Sequence, residues 1–347
     1  MHCLKIKSTV IFSLLFIISS VKSQTLVLEE PVFPAPEKEL LYFFSETYFF
    51  DLQNYSGGVK EVEKVYNVYN PDKTIISSDT SKVKSTHKII KNSAISKHPI
   101  LDYIGIDSIS KKNKKFQLFH FDDEADYVYQ MYELKNEQIT AITDNNSVLY
   151  RHTQYNYNTQ DNLLKTVTTN DYGIEELEIA TYNKNGTISS RKHFETSDGV
   201  NVTKIKYTYK DELLIQAEKK SVLYFVPLDE VETPLDRIDY SEYTNGDTFI
   251  NLNVIKFMFN DKRELIKVTE TSKGFSKSEG INYENTNIFT LKHIPNQLTI
   301  HAELPEKRTY EYIFDESGNP KEINSYVIET DHTWLHKKII LNVLYEE

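Results

Sequence analysis

Residue types able to do chemistry are few and scattered in this sequence. His332-Thr333-Trp334-Leu335-His336 sets two histidines four apart. On a helix that spacing would bring both imidazoles to one metal ion. On a strand they share a face but stand about 13 Å apart. No cysteine, third ligand or His-Glu-x-x-His pattern accompanies them, so they read as strand histidines, and no metal or cofactor is expected. Asp122-Asp123-Glu124-Ala125-Asp126 gathers carboxylates as a calcium loop does, but lacks EF-hand spacing and its glycine. A solvated acidic turn is the expectation there. Gly274-Phe275-Ser276-Lys277-Ser278-Glu279-Gly280 has the outline of a nucleophile elbow without the glycine two residues after Ser276. The 51 acidic residues guarantee close carboxylate pairs by number alone, which is no signal of glycoside hydrolysis. No catalytic residue is singled out. The 24 tyrosines and 18 phenylalanines could stack on sugars or partners, but their alternation with Ile and Leu makes them the dry face of a sheet. Trp334, the one tryptophan, is the ring expected to touch a ligand.

The elements that would position these residues repeat. Tyr155-Asn156-Tyr157-Asn158, Ala180-Thr181-Tyr182-Asn183 and Tyr207-Thr208-Tyr209-Lys210 are each followed by a polar cluster and an apolar run. Tyr157, Tyr182 and Tyr209 lie 25 and 27 residues apart, one β-hairpin per period. Further anchors fall at Tyr69, Tyr132, Phe259 and Phe314. On this reading the 50 residues from 209 to 259 are two periods and the 55 to 314 are two with an insertion, with weaker copies opening at Tyr243 and Tyr283. In Lys204–Lys210, Ile205, Tyr207 and Tyr209 alternate with Lys204, Lys206, Thr208 and Lys210, the pattern of an antiparallel strand with one dry face. The Asn, Asp or Gly after each aromatic tolerates the left-handed backbone of short turns.

Tyr182-Asn183-Lys184-Asn185-Gly186-Thr187-Ile188 resembles the YD or RHS-like repeat of exported bacterial proteins: aromatic, Asn or Asp, two variable residues, Gly, one residue, aliphatic. Phe314-Asp315-Glu316-Ser317-Gly318-Asn319-Pro320 keeps the Asp and Gly with Pro at the aliphatic place. The copies at Tyr69, Tyr157 and Phe259 put Lys73, Asp161 and Arg263 where Gly is expected, and those at 132 and 209 are off frame by one. The resemblance covers about residues 60–347. It implies a long sheet curled into a shell or spiral, binding carbohydrate or a surface partner.

Residues 1–23 read as a secretory signal peptide: Lys5 and Lys7, an apolar core from Val10 to Ile18, and Val21-Lys22-Ser23 before the cut. Residues 24–60 are a Pro-rich lead-in, extended rather than helical around Pro31, Pro34 and Pro36, followed by an aromatic first strand at Leu40–Leu52. Residues 61–347 form the hairpin-repeat domain. The 347-residue chain has a net charge of −11; without the leader it loses three lysines and no acids, giving −14. That balance disfavours nucleic acid. Cys3 is the sole cysteine and goes with the leader, so packing and ladder hydrogen bonds must hold the fold. The fold class is all-β, a long antiparallel meander of about 25-residue hairpins, with a β-propeller of four-stranded blades as the alternative. A transmembrane barrel is disfavoured because Lys192 shares a strand face with Ile188, Ser190 and Phe194. The expected role is a non-catalytic binding or structural protein of the bacterial periplasm, cell surface or extracellular space, not membrane-spanning after leader cleavage. Its expected partner is a carbohydrate or an envelope protein, and a secreted glycan hydrolase is the alternative.

Overall fold

The computed structural model describes residues 25–26, 31–41, 59–84, 90–91, 104–109, 113–121, 127–135, 138–145, 150–196, 199–226, 234–243, 248–276, 280–304, 307–329 and 332–345. Residues 1–23, read above as a signal peptide, the stretch 42–52 and the acidic run 122–126 lie outside the described residues. Contacts divide the chain into two units, residues 1–31 with 86–152 and residues 32–85 with 153–347. Strands are numbered along the chain. β1 (Val59–Tyr69) and β2 (Ile75–Lys84) belong to the second unit.

The first unit holds β3 (Ile104–Ile109), β4 (Asn113–Phe121), β5 (Tyr127–Lys135) and β6 (Gln138–Asn145), each antiparallel to the next. A two-residue pairing of Thr25–Leu26 with Ile90–Lys91 joins it. Tyr132, Leu134, Ile139 and Ile142 are buried where β5 meets β6.

In the second unit, β7 (Tyr150–Tyr157) enters at Thr153. It leads to β8 (Leu163–Asn170), β9 (Gly173–Tyr182), β10 (Ile188–Thr196), β11 (Val200–Lys210) and β12 (Leu213–Tyr224). Then come β13 (Phe249–Phe259), β14 (Leu265–Ser276), β15 (Ile281–Ile294), β16 (Gln297–Glu303), β17 (Arg308–Phe314), β18 (Pro320–Ile328) and β19 (Thr333–Tyr345). β8 to β19 pair each with the next, always antiparallel. β19 then pairs with β1, and β1 with β2, so the ladder counts fourteen strands. Blades of a propeller would break it every four strands; this one is continuous.

The hairpin turns explain the repeated motif. In five of them the Asn or Asp after the anchor aromatic accepts from the N–H three residues on and donates to the carbonyl four residues on. Gly186 N–H to Asn183 O is 3.0 Å, and Asn183 N–H to Thr187 O is 2.8 Å, with equivalent pairs from Asn70, Asn158, Asn260 and Asp315. The side-chain oxygen adds a second lock: Asn260 Oδ1 accepts from Lys262 N and Glu264 N at 3.0 Å, and Asp315 Oδ1 from Ser317 N and Asn319 N at 2.9 Å. Hence Asx at that place. The residue three after it has positive φ in every copy: 69° at Lys73, 63° at Asp161, 85° at Gly186, 65° at Arg263 and 82° at Gly318. The backbone keeps the motif's geometry where the glycine is gone. The off-frame copy at Tyr209 closes instead with Asp211 and Glu212, both at positive φ, as a two-residue turn of the primed kind requires.

Four of these hairpins and the one at Tyr209 also carry a bulge at the anchor, so that Tyr69, Tyr182, Tyr209, Phe259 and Phe314 face Ile75, Ile188, Leu214, Leu265 and Pro320. One extra residue flips the alternation of the returning strand. Ile188 thus joins the face of Ala180 and Arg191, while Ser190, Lys192 and Phe194 lie on the other, which corrects the shared face expected for all four. The flip turns the motif's aliphatic residue inward at Ile188, Leu214 and Leu265, each worth about 1.5–3 kcal/mol, and Pro320 fills the same place, whereas Ile75 beside the same kind of bulge is 56% exposed.

Two other expectations change. Pro36–Leu40 is a short helix, α1, not extended chain. Pro36 sits in its first turn, where a missing N–H costs nothing, and Ala35 O receives Lys38 N–H at 2.8 Å. The interval 209–259 is one hairpin with a long connection, not two: residues between β12 and β13 include 3₁₀ turns at Leu235–Arg237 and Tyr240–Tyr243, so Tyr243 opens no strand. The interval to Phe314 does hold two hairpins.

Candidate functional site

The sheet around β8–β14 has two chemically different faces, fixed by the register. Ala180, Arg191 and Ile205 define one, the Arg191 face; Ile179, Lys192 and Lys204 define the other, the Lys204 face.

On the Arg191 face, Arg191 makes a close ion pair with Glu178, both side chains being largely buried, with Nη2 and Nε each 2.6 Å from Oε1. The segment ahead of α1 covers it, the guanidinium lying 5.6 Å from the Phe33 ring centre. Burial pulls the Arg191 pKa down, but Glu178 and then Tyr207 more than offset this and hold it above its ordinary value. Burial, then the charge of Glu37, raises the Tyr207 phenol. Farther along this face, Asn253 Nδ2 donates to Glu270 Oε1 at 2.8 Å and to Ser272 Oγ at 2.9 Å, and Asn287 reaches Glu270 Oε2 at 3.5 Å. These carboxylates are held as acceptors. Nothing in either cluster presents a nucleophile beside a base.

The Lys204 face is wet near the turns and dry at the opposite end. Val200, Val202, Leu177 and Phe194 form a core there with Val226 and Leu235 of the long connection. Tyr240 lies 6.0 Å from Phe194 and 4.9 Å from Tyr224 and donates its hydroxyl to Leu235 O at 2.8 Å. Beside this core runs a row set by the register: Lys165, Ile179, Lys192, Lys204, Lys220, Leu252, Lys273, then Glu284, one from each of β8 to β15. Neighbours in such a row are about 4.8 Å apart at the backbone. The end lysines have carboxylates: Lys165 to Asp236 at 3.9 Å and Lys273 to Glu284 at 2.9 Å. Lys192 sits over the Phe194 ring at 4.4 Å. Burial and the neighbouring Lys204 lower its pKa, partly countered by Asp236. Lys204 and Lys220 are exposed and make no ion pair among the described residues. Like charges directly opposite each other on a sheet cost stability. Three in succession are the strongest electrostatic feature of this face. The lysines at 192, 204 and 206 stood out in the sequence, but only the register shows that Lys192, Lys204 and Lys220 align.

The residues singled out from sequence do not converge. Trp334, half-buried on β19 opposite Val327, meets His336 edge-on at 5.3 Å, and its buried Nε1 has no hydrogen-bond partner among the described residues. His332 lies in the preceding turn, 3.1 Å from Glu329. Among the described residues no three His, Cys, Asp or Glu gather as a metal would need. Gly274 and Ser276 lie in the extended strand β14. An added Cβ at Gly274 would strike the Tyr283 ring lying across it, and Ser276 is 1% exposed, so no elbow forms.

No described helix is long and apolar enough to cross a membrane. No family model matches the chain, and no curated protein matches it. Among solved structures it is similar to a porin-like protein from Bacteroides uniformis ATCC 8492, at 9% identity and a TM-score of 0.30, over 82% of this chain and 96% of that one.

Proposed function

We propose that this chain is an exported, non-catalytic binding protein of the bacterial envelope or cell surface, presenting a face of its hairpin sheet to a carbohydrate or envelope partner. The observation behind the reading is the stack of Lys192, Lys204 and Lys220 on a chain of net charge −11. A stability cost concentrated in one place, against the sign of the whole molecule, is what supports reading this face as a ligand surface. A ladder of fourteen twisted strands is longer than open sheets of about ten strands usually stay, and its curling into a shell belongs to the same reading. The test is retention on a panel of immobilised neutral and acidic polysaccharides, and on an envelope-protein extract, with released reducing ends measured in parallel. Retention without cleavage is expected. Cleavage of any polysaccharide, or no retention on any of these supports, overturns the reading. Trp334→Ala in the same panel tells whether the C-terminal strand takes part.

A further inference from the structure

We infer that the lysine row across β10–β14 is a binding track for a linear acidic polysaccharide, its carboxylates meeting Lys192, Lys204 and Lys220 and its sugar faces resting on Leu252 and Phe275. The inference rests on the binding reading above and names the ligand class for that site.

The row is one lysine wide. On the turn side the next row brings Lys206 against Glu218 and then Val254 and Thr271; on the other side lie Val202, Val222, Ile250 and Phe275. A nucleic-acid duplex or a bilayer would span several rows and set its phosphates against Glu218, Asp236 and Glu284. A single extended strand fits between them. The row runs across the strands, so its positive charges recur at the inter-strand spacing, and a polymer lying along it meets one strand after another. At its β14 end Phe275 is 49% exposed on the same face, and a flat apolar ring beside the row suits the C–H face of a sugar in a polymer whose carboxylates are taken by the lysines in the middle. The end lysines are neutralised by Asp236 and Glu284, which leaves the free charge in the middle.

The probes are polygalacturonate as a linear polymer of carboxylated sugars, neutral dextran, double-stranded DNA and anionic lipid vesicles, each titrated against the purified full chain. Polygalacturonate is expected to bind, more weakly as salt is added, and Lys204→Gln/Lys220→Gln to weaken it at least tenfold. Lys262→Gln, in an exposed turn, should leave binding unchanged. Because the double variant removes like-charge repulsion, its melting temperature should equal or exceed the parent's, which separates lost contacts from lost folding. Equal binding by parent and double variant, no polygalacturonate binding, or tighter binding of DNA or vesicles through the same lysines would each overturn the inference. Retention of a neutral glycan or envelope protein by the double variant at the parent's level would leave the binding reading standing while this inference fails.

Discussion

At the scale of single residues, the positive-φ sites of the turns divide into those where sequence and backbone agree and those where they conflict. A side chain in the left-handed region costs about 1–2 kcal/mol, less the entropy that glycine forfeits on folding. Lys73→Gly should therefore raise stability by about 1 kcal/mol in urea unfolding. Arg263→Gly should gain less, since Arg263 Nη2 also reaches Asp211 O at 3.1 Å. A loss at position 73 would contradict the turn geometry. Gly199, in the connection just ahead of β11, and Gly274, within β14, make an opposite pair. A Cβ at Gly199 would strike the Tyr224 carbonyl, which is backbone and accepts from Val226 N–H at 3.1 Å, whereas at Gly274 it would strike the half-free Tyr283 ring. Gly199→Ala should cost more than Gly274→Ala, on the order of 2–3 against 1 kcal/mol; the reverse order in thermal melts would show that Tyr283 is the more firmly held. The motif was legible at this scale because Asx and aromatic residues carry the turn. Lys73, Asp161 and Arg263 looked like departures from it because sequence records the side chain and not the φ.

At the scale of elements, the hairpins were legible and their faces only partly so. The dry Tyr207 and wet Lys204, Lys206 and Thr208 stand as alternation implied. A bulge adds one residue without any distinctive type, so the crossing of Ile188 to the opposite face left no mark in the pattern. Nor could alternation reveal that Val200 and Val202, on the lysine face, are covered by the connection through Leu235 and Tyr240. The helix at Pro36–Leu40 was missed because proline at a first turn reads the same as proline in extended chain. Its neighbour Phe33 lies over Arg191, so the pair Arg191–Glu178 should behave as a buried one. Arg191→Met alone should cost about 2–3 kcal/mol by stranding Glu178, and adding Glu178→Gln should restore most of it. Additive losses in that double-mutant cycle would mean the two groups do not act as a pair.

At the scale of the whole molecule, many phenols are neutral in the fold. Burial raises Tyr157 to about 12, and burial with a hydrogen bond to Glu311 raises Tyr326 to about 12. Tyr182, Tyr207, Tyr209, Tyr224 and Tyr240 shift the same way, with burial the largest cause in each. Their folded values exceed the unfolded value near 10, so the stability they lend is complete below pH 10 and drains away as pH rises toward 12. Alkaline titration should show phenolate absorbance arriving together with loss of near-ultraviolet dichroism; phenolate forming at pH 10 with the fold intact would contradict the burial. The pairing of β1 with β19 bears on how the protein comes into being. Asn342 Nδ2 reaches Glu63 Oε2 at 3.1 Å across 279 positions of sequence. A chain made or exported from its N-terminus delivers β1 long before β19, so one long edge of the ladder stays open until β19 arrives. Completion is a single late event rather than a sum of hairpins, and chains stopped short of β19 should be taken by proteases at β1 first, however well their middle repeats have formed.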